Sequence, residues 1–182
     1  MNLGQMLLVV GALAILATLT LSINTTILRA YVISYDSEAT IDAVSIGQAM
    51  IDEIQTQAFD SVTNTTQKIN DPGKCTPPSR LGPDVDTEKT VTLPETEPFQ
   101  SQLKYNDVDD YLHYSRIVAS PHLGNFTVRD SVFYVKASNM DSISTTQTWF
   151  KKIIVTVKHP NLYNPVVVKS IIVFRRYIPP GT

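Results

Sequence analysis

The residues that could carry out catalysis are few in this chain, and their spacing does not suit it. The three histidines, His113, His122 and His159, show neither H-x-x-x-H nor H-x-x-H spacing, and no HExxH or GxSxG motif occurs. The single cysteine, Cys75, cannot form an internal disulfide and is either a free thiol or an intermolecular link. The 7 glycines are not clustered into a phosphate-binding loop. The sequence therefore predicts a protein that is not an enzyme.

The acidic segment 106–110 is where side chains suited to a metal ion lie close together. Asp107, Asp109 and Asp110 supply the hard oxygen ligands that Ca²⁺ prefers. The full calcium-loop pattern D-x-[DN]-x-[DN]-G-x₅-E is absent, and such clusters are also typical of a solvated turn. Two interpretations are open, a calcium site formed by these three aspartates or an Asx turn without a ligand. No other cofactor is predicted.

The longest element of the chain begins at the N-terminus. Residues 1–28 contain no Lys, Arg, Asp or Glu, and an apolar run of about 20 residues is typical of a segment housed in lipid or in an equally dry protein core. The basic start and small-residue cleavage site of a secretory signal peptide are missing, as is the basic cytoplasmic flank of a single-pass anchor. We expect that an upstream segment has been removed, or that the run is not finally housed in lipid.

An amphipathic pattern continues this run after Arg29. Apolar residues recur there at helical spacing, at Ile41, Val44, Ile51, Ile54 and Ala58. Because no Gly or Pro falls between Ala12 and Ile46, the sequence predicts one continuous helix over residues 2–59, about 85 Å long. Residues 1–28 are apolar on every side, and residues 29–59 have one apolar face. One small domain cannot bury such a helix, so its first part needs lipid or copies of itself as a partner.

The remainder, residues 60–182, has the length of one globular domain. The chain has 182 residues, 43% of them hydrophobic, and a formal charge of -2. This near-neutral balance gives no electrostatic reason to expect nucleic acid as a partner. Prolines at high density predict surface loops over 70–102, with one short strand at 90–93.

The last third of the chain alternates between apolar and polar residues. This alternation predicts three antiparallel strands, around 126–134, 149–157 and 166–174. The intervening segments 138–148 and 159–165 are predicted to be loops. The predicted fold is α+β, with one long N-terminal helix, half of it projecting, packed on an antiparallel sheet.

This layout resembles that of the type IV pilin and pseudopilin family. The start MNLGQMLL, followed by an uncharged run, is similar to a mature pilin N-terminus. The amphipathic continuation from Ile41 to Phe59 and the late strand KKIIVTV at 151–157 lie where the family places its second helical half and its sheet. The likeness spans nearly the whole chain and is one of architecture rather than of a specific motif.

The resemblance implies a role in assembly for residues near the start. In the family, a prepilin peptidase removes a short basic leader, the new N-terminal residue is N-methylated, and a Glu at the fifth position is thought to neutralise its amine. Gln5 stands at that fifth position here, and Ser22 stands where the family has a helix-breaking Pro. The residues assigned to assembly, from the resemblance and from the small-residue pattern, are Met1, Gln5, Leu8, Gly11 and Ala14.

The resemblance also implies partners and a location. The partners are identical subunits in a helical homopolymer, the inner membrane before assembly, prepilin peptidase and the assembly machinery. The precursor is expected in the inner membrane, and the product at the cell surface as an extracellular type IV pilus-like filament. The alternatives are a minor pilin or pseudopilin of a secretion system, and a membrane-anchored adhesin or binding module that does not polymerise.

Overall fold

One long helix dominates the computed structural model of this chain, which describes residues 2–64 and 69–174. Helix α1 spans Leu3–Gln55 without interruption. In its Thr-rich middle, hydroxyls donate to backbone carbonyls one turn earlier, as from Thr20 to Leu16 at 2.8 Å, so these polar groups find partners while the chain stays helical. The prediction of a single long helix is confirmed. The helix ends at Gln55 rather than Phe59, because Ala58 already pairs with Asp107 in a parallel bridge.

An antiparallel sheet follows the helix. Its strands are β1 (Ser115–Ser120), β2 (Gly124–Lys136), β3 (Asn139–Ile143), β4 (Phe150–Lys158) and β5 (Val166–Val173). The order is β1-β2-β4-β5, and β3 pairs with the end of β2 beyond β1. The α+β prediction is confirmed, and the three predicted strands correspond to β2, β4 and β5.

Two strands were missed and one prediction was wrong. Strand β1 was not predicted, and β3 lies inside the segment predicted as the loop 138–148. Residues 90–93 form no strand, because the neighbouring prolines lack the N–H groups that a ladder needs. Pairing in this region is confined to Glu95, whose N–H donates to Ser115 O at 2.9 Å and whose carbonyl accepts from Ile117 N at 2.7 Å. The rest of the loop region contains short 3₁₀ turns, Pro72–Lys74 and Pro78–Arg80, and a one-turn helix α2, Ser101–Lys104.

The C-terminal part of α1 packs on strands β4 and β5. Its buried residues are Ala39, Ala43, Gly47, Met50, Ile51 and Ile54. The approach is close, since a Cβ on Gly47 would lie 2.7 Å from Cγ2 of Val168. The predicted helix face was therefore partly wrong, because Ile41 and Val44 are 66% and 47% exposed. Small side chains bring the helix axis nearer to the sheet, so the row of small residues faces it instead.

The core lies between this part of the helix and the inner face of the sheet. Alternate residues of β2 and β4 point into it, among them Val128, Val132, Ile153 and Val155. Beside them the rings of Tyr105, Tyr111 and Tyr114 meet edge to face, with centroids 4.8, 5.4 and 5.6 Å apart.

Candidate functional site

The N-terminal part of α1 is exposed throughout. Every residue from Asn2 to Glu38 is exposed, and the first buried residue of the helix is Ala39. We call residues 2–38 the projecting segment and residues 39–55 the packed segment. Within the described residues, α1 is the one helix long and apolar enough to cross a membrane, and none of its apolar window is buried. The projecting segment extends for about 54 Å at the rise of an α-helix.

The structure places the predicted assembly residues on this segment, except for Met1, which lies outside the described residues. Leu8 is 75% exposed, and Ala14 is also exposed. At Gly11, nothing in the described residues beyond its chain neighbours and the adjacent backbone of its own helix lies within 4 Å of the position that a Cβ would take. Leu8, Gly11 and Ala14 are thus placed on an exposed surface of the described chain, and their role in assembly stays a prediction.

Gln5 has a local role that the sequence interpretation missed. Its side-chain Oε1 accepts a hydrogen bond from the backbone N–H of Asn2 at 3.4 Å. This contact satisfies one of the N–H groups that the first turn of a helix leaves unpaired. A Gln at the third helical position is a known element of such caps, so this signal was present in the sequence.

One shallow apolar groove, lined by Leu28, Arg29, Val32 and Ile33, lies near the end of the projecting segment, and two more lie within residues 4–27. Of these two, one is lined by Gly4, Leu7, Leu8, Gly11, Ala12 and Ile15. The other is lined by Leu13, Leu16, Ala17, Thr20, Leu21, Ile23, Asn24 and Ile27. At 3.6 residues per turn the two sets point to roughly opposite sides of the helix. The segment can therefore accept two neighbours at once, one on each side.

The packed segment is held to the sheet by polar contacts centred on Glu53. Its carboxylate accepts from Arg116 Nη1 at 2.8 Å, from the Tyr111 hydroxyl at 3.1 Å and from Gln102 Nε2 at 3.2 Å. The Arg116 side chain is only 6% exposed, so this ion pair is largely removed from water. The sequence analysis did not predict these contacts of Glu53, because the donor residues follow Glu53 by 49 to 63 positions in the chain.

The three aspartates proposed as a calcium site are buried and already used by protein groups. Asp107 Oδ1 accepts from the N–H groups of Asp109 and Asp110, at 2.8 and 3.3 Å. Asp110 Oδ2 accepts from the N–H groups of Asn106 and Asp107, at 2.9 and 3.2 Å. Asp109 pairs with the ammonium of Lys151 at 2.5 Å.

These contacts do not fit a calcium site. Within the described residues, no group of three or more His, Cys, Asp or Glu side chains is arranged to hold a metal ion. The Asx hydrogen bonds of the turn interpretation are present, but the turn is not solvated, since Asp107, Asp109 and Asp110 are at most 1% exposed. Burial raises the pKa of Asp110 to about 6, against the opposing effect of its two backbone hydrogen bonds.

In the described part of the chain, Cys75 and the three histidines are placed as packing or surface residues. Cys75 is a free, buried thiol, and burial, with the charge of Asp60, raises its pKa to about 11, which disfavours the reactive thiolate. The ring of His159 stacks on Phe126 at 4.3 Å and its Nε2 lies 2.9 Å from the Leu123 carbonyl. His113 and His122 are exposed.

The overall shape is pilin-like, with a long apolar N-terminal helix packed by its second part on an antiparallel sheet. Comparisons with models of protein families, with curated proteins and with solved structures find no match. A functional conclusion therefore rests on the exposed projecting segment and on how the packed segment is fixed.

Proposed function

We propose that this chain is a structural subunit that polymerises through its projecting segment into a type IV pilus-like extracellular filament. The observation that carries the proposal is the contrast along α1. The packed segment is fixed to the sheet, whereas residues 2–28 of the projecting segment present apolar side chains on every side, with nothing in the described chain to cover them. Apolar surface on this scale is typical of a membrane or protein interaction site.

The two grooves support a polymer rather than a closed pair. A closed dimer needs one self-complementary face, whereas a repeating contact that does not close needs two different faces. The groove around Gly4 and Gly11 and the groove around Ala17 and Thr20 lie on roughly opposite sides and differ in their lining. Each segment in a bundle can therefore contact one neighbour through each groove.

The proposed mechanism is mechanical. Before assembly the apolar part of the projecting segment, residues 2–28, lies in the inner membrane, with the sheet outside; during assembly it leaves lipid for a bundle of identical segments. Because apolar contacts replace apolar contacts, packing of small residues and polar pairing must set the register. Gln5 carries no charge to neutralise an amine, so we assign the register chiefly to the grooves. Processing by prepilin peptidase and N-methylation of Met1 belong to the same proposal.

A membrane-anchored binding module is the second candidate, and one observation favours it. Tyr31 and Tyr35, which are 62% and 54% exposed, follow the first charge, Arg29, at the end of the apolar run. Tyr and Arg at the end of an apolar helix are typical of a bilayer interface. In this candidate the segment stays in lipid and the sheet domain binds a ligand. A minor pilin or pseudopilin would use the same segment at low copy number.

Electron microscopy of sheared surface fractions tests the filament. Leu8→Asp and Ala14→Arg should each abolish filaments, because a charge in an apolar bundle has no partner. Leu103→Asp is the matched control, since Leu103 is 91% exposed on α2, outside the projecting segment, and its filaments should persist. Filaments that survive both segment variants would refute a helix-core polymer. Wild-type fractions that contain the protein without filaments would favour the anchor, and mass spectrometry of the N-terminal peptide would then show whether a leader is cleaved.

A further inference from the structure

The most unusual side chain of the sheet is a lysine buried in its inner face. Lys151, at the start of β4, is 0% exposed. Its Nζ donates to the Phe59 carbonyl at 2.6 Å, to Asp60 Oδ2 at 3.1 Å and to Asp109 Oδ1 at 2.5 Å. The rings of Phe59 and Tyr134 lie 4.7 and 5.2 Å from the same atom. An amine and two carboxyl groups thus share a site that water does not reach.

The two carboxyl partners of this lysine differ in how they are held. Asp60 is surrounded by donors: Thr76 N at 3.0 Å, the Tyr134 hydroxyl at 3.1 Å and Val62 N at 3.3 Å. Both carboxyl oxygens of Asp60 therefore accept hydrogen bonds from protein donors. Asp109 is bound through Oδ1 only, and no donor within the described residues reaches its buried Oδ2. Burying a carboxylate oxygen without a hydrogen-bond donor costs free energy. Of the two carboxyl groups beside Lys151, Asp109 is therefore the less well stabilised.

A third carboxyl group completes the arrangement. Asp107 hydrogen-bonds to Asp109, and burial, the charges of Asp109 and Asp110 and this hydrogen bond raise the pKa of Asp107 to about 9. Asp107 therefore carries a proton at neutral pH and can present it to Asp109. The site then holds an amine, a carboxyl acceptor, an anionic base in Asp60 and a proton donor in Asp107.

We propose that Lys151 and Asp109 condense to form an intramolecular isopeptide bond between Nζ and Cγ. The bond would join the 3₁₀ turn Asp109–Tyr111 to strand β4 across 42 positions of the chain. It would be a self-modification that happens once in each molecule. It does not depend on whether the chain forms filaments.

The atoms and protons of this step balance without a co-reactant. Asp60 accepts a proton from the Lys151 ammonium, and the freed lone pair forms the Nζ–Cγ bond. Asp107 donates its proton to the Asp109 carboxyl group, to which it is hydrogen-bonded, and the bond between Cγ and the protonated oxygen breaks. The second proton lost by Nζ completes the departing water, and the proton held by Asp60 restores Asp107. The products are one amide and one water molecule, with no electron transferred.

The environment favours this condensation over the ion pair. An ammonium and a carboxylate are well solvated in water, but burying both carries a desolvation cost that their attraction does not always repay. A neutral amide removes both charges, and the departing water gains freedom. The fold also holds the reacting groups in contact, and such intramolecular placement is equivalent to an effective concentration of about 10⁵ M or more.

Intact-mass measurement of the full-length, denatured protein tests the proposal directly. The wild-type chain should be lighter than its sequence predicts by the mass of one water molecule, after any N-terminal processing is measured on the N-terminal peptide. Fragmentation of a protease digest should show one branched peptide that links Lys151 to Asp109. A wild-type chain of full mass would overturn the proposal. So would a water loss located within a single peptide, or a link from Lys151 to Asp60.

Two lysine substitutions, one at the proposed nucleophile and one at its neighbour, test the assignment by intact mass. Lys151→Arg keeps the positive charge but removes the amine nucleophile, so this variant should show the full mass. Lys152→Arg is the control, because Lys152 lies next to it and pairs with Asp141, whose side chain is 89% exposed; this variant should keep the water loss. If Lys151→Arg does not fold, the presence or absence of the branched peptide in the wild type still decides whether the isopeptide bond forms. A water loss that persists in Lys151→Arg would refute the assignment.

Discussion

The two segments of helix α1 share one secondary structure and are both rich in apolar residues, but their environments are opposite. The packed segment buries a row of small residues and is anchored through Glu53. The projecting segment also contains small residues, Gly4 and Gly11, yet apart from their chain neighbours and the adjacent helix backbone nothing in the described residues lies within 4 Å of where their Cβ atoms would be. Apolar content alone therefore does not decide burial. What decides it is whether a complementary surface of the same chain lies opposite.

Removing the anchor of the packed segment should have the largest effect. Glu53→Ala leaves the buried Arg116 guanidinium without its carboxylate, so the free energy of unfolding should fall by about 3–5 kcal/mol. Denaturant unfolding of the full chain in detergent measures this change. The neighbouring Asp52 is exposed, and Asp52→Ala should stay within about 0.5 kcal/mol of wild type. Equal losses in the two variants would show that Glu53 is not the anchor.

The same substitution in each segment gives the sharpest test of the comparison. Gly47→Val places methyl groups where Val168 already lies 2.7 Å from a Cβ, so unfolding should become easier by about 1–3 kcal/mol. Gly11→Val meets open space and should change stability by less than about 0.5 kcal/mol. It should nevertheless abolish filaments, because it fills a groove. Thermal unfolding and electron microscopy of both variants separate the two effects. A stability loss from Gly11→Val would contradict the description of the projecting segment.

The smallest expected effect is on the pH dependence of the free energy of unfolding. This dependence should arise in the globular part of the chain. Residues 1–28 contain no ionisable side chain, whereas burial raises the pKa of Asp110 to about 6. The folded protein therefore holds this proton at a pH where the unfolded chain, with a carboxyl pKa of about 3.9, has lost it. The stability contributed by the protonated group is complete below about pH 4 and is lost as the pH rises through about 6.

Asp110→Asn isolates this contribution. The amide keeps the shape and the acceptor oxygen but does not titrate, so the variant should lose less stability than wild type between pH 4 and about 7. Parallel unfolding curves at several pH values measure the difference. Identical pH profiles for the two proteins would mean that Asp110 does not bind its proton more tightly when folded.

The elements that were predictable are those that depend on local pattern. The continuous helix follows from a long stretch without Pro, and β2, β4 and β5 follow from clear period-two alternation. Strand β1 is short, and β3 is rich in polar residues, so neither gives a strong local signal. The predicted assembly residues that the structure describes lie on the projecting segment, and their role in assembly stays a prediction. The capping contact of Gln5 was missed, and the hydrogen bonds of the three aspartates do not fit the calcium interpretation.

The sequence by itself determined that the chain begins with one long helix whose first part is uncharged, because helix formation and apolar character are local properties of composition and spacing, although it predicted an end near Phe59 and the helix ends at Gln55. Only the tertiary structure decided which helix face meets the sheet, because that depends on the close approach at Val168, far along the chain. Only the tertiary structure likewise decided that Lys151 is buried, because the sequence pattern shows it simply as a polar residue of a strand. It is enclosed with Asp60 and Asp109, which precede it by 91 and 42 positions, and no local pattern reports a contact over that separation.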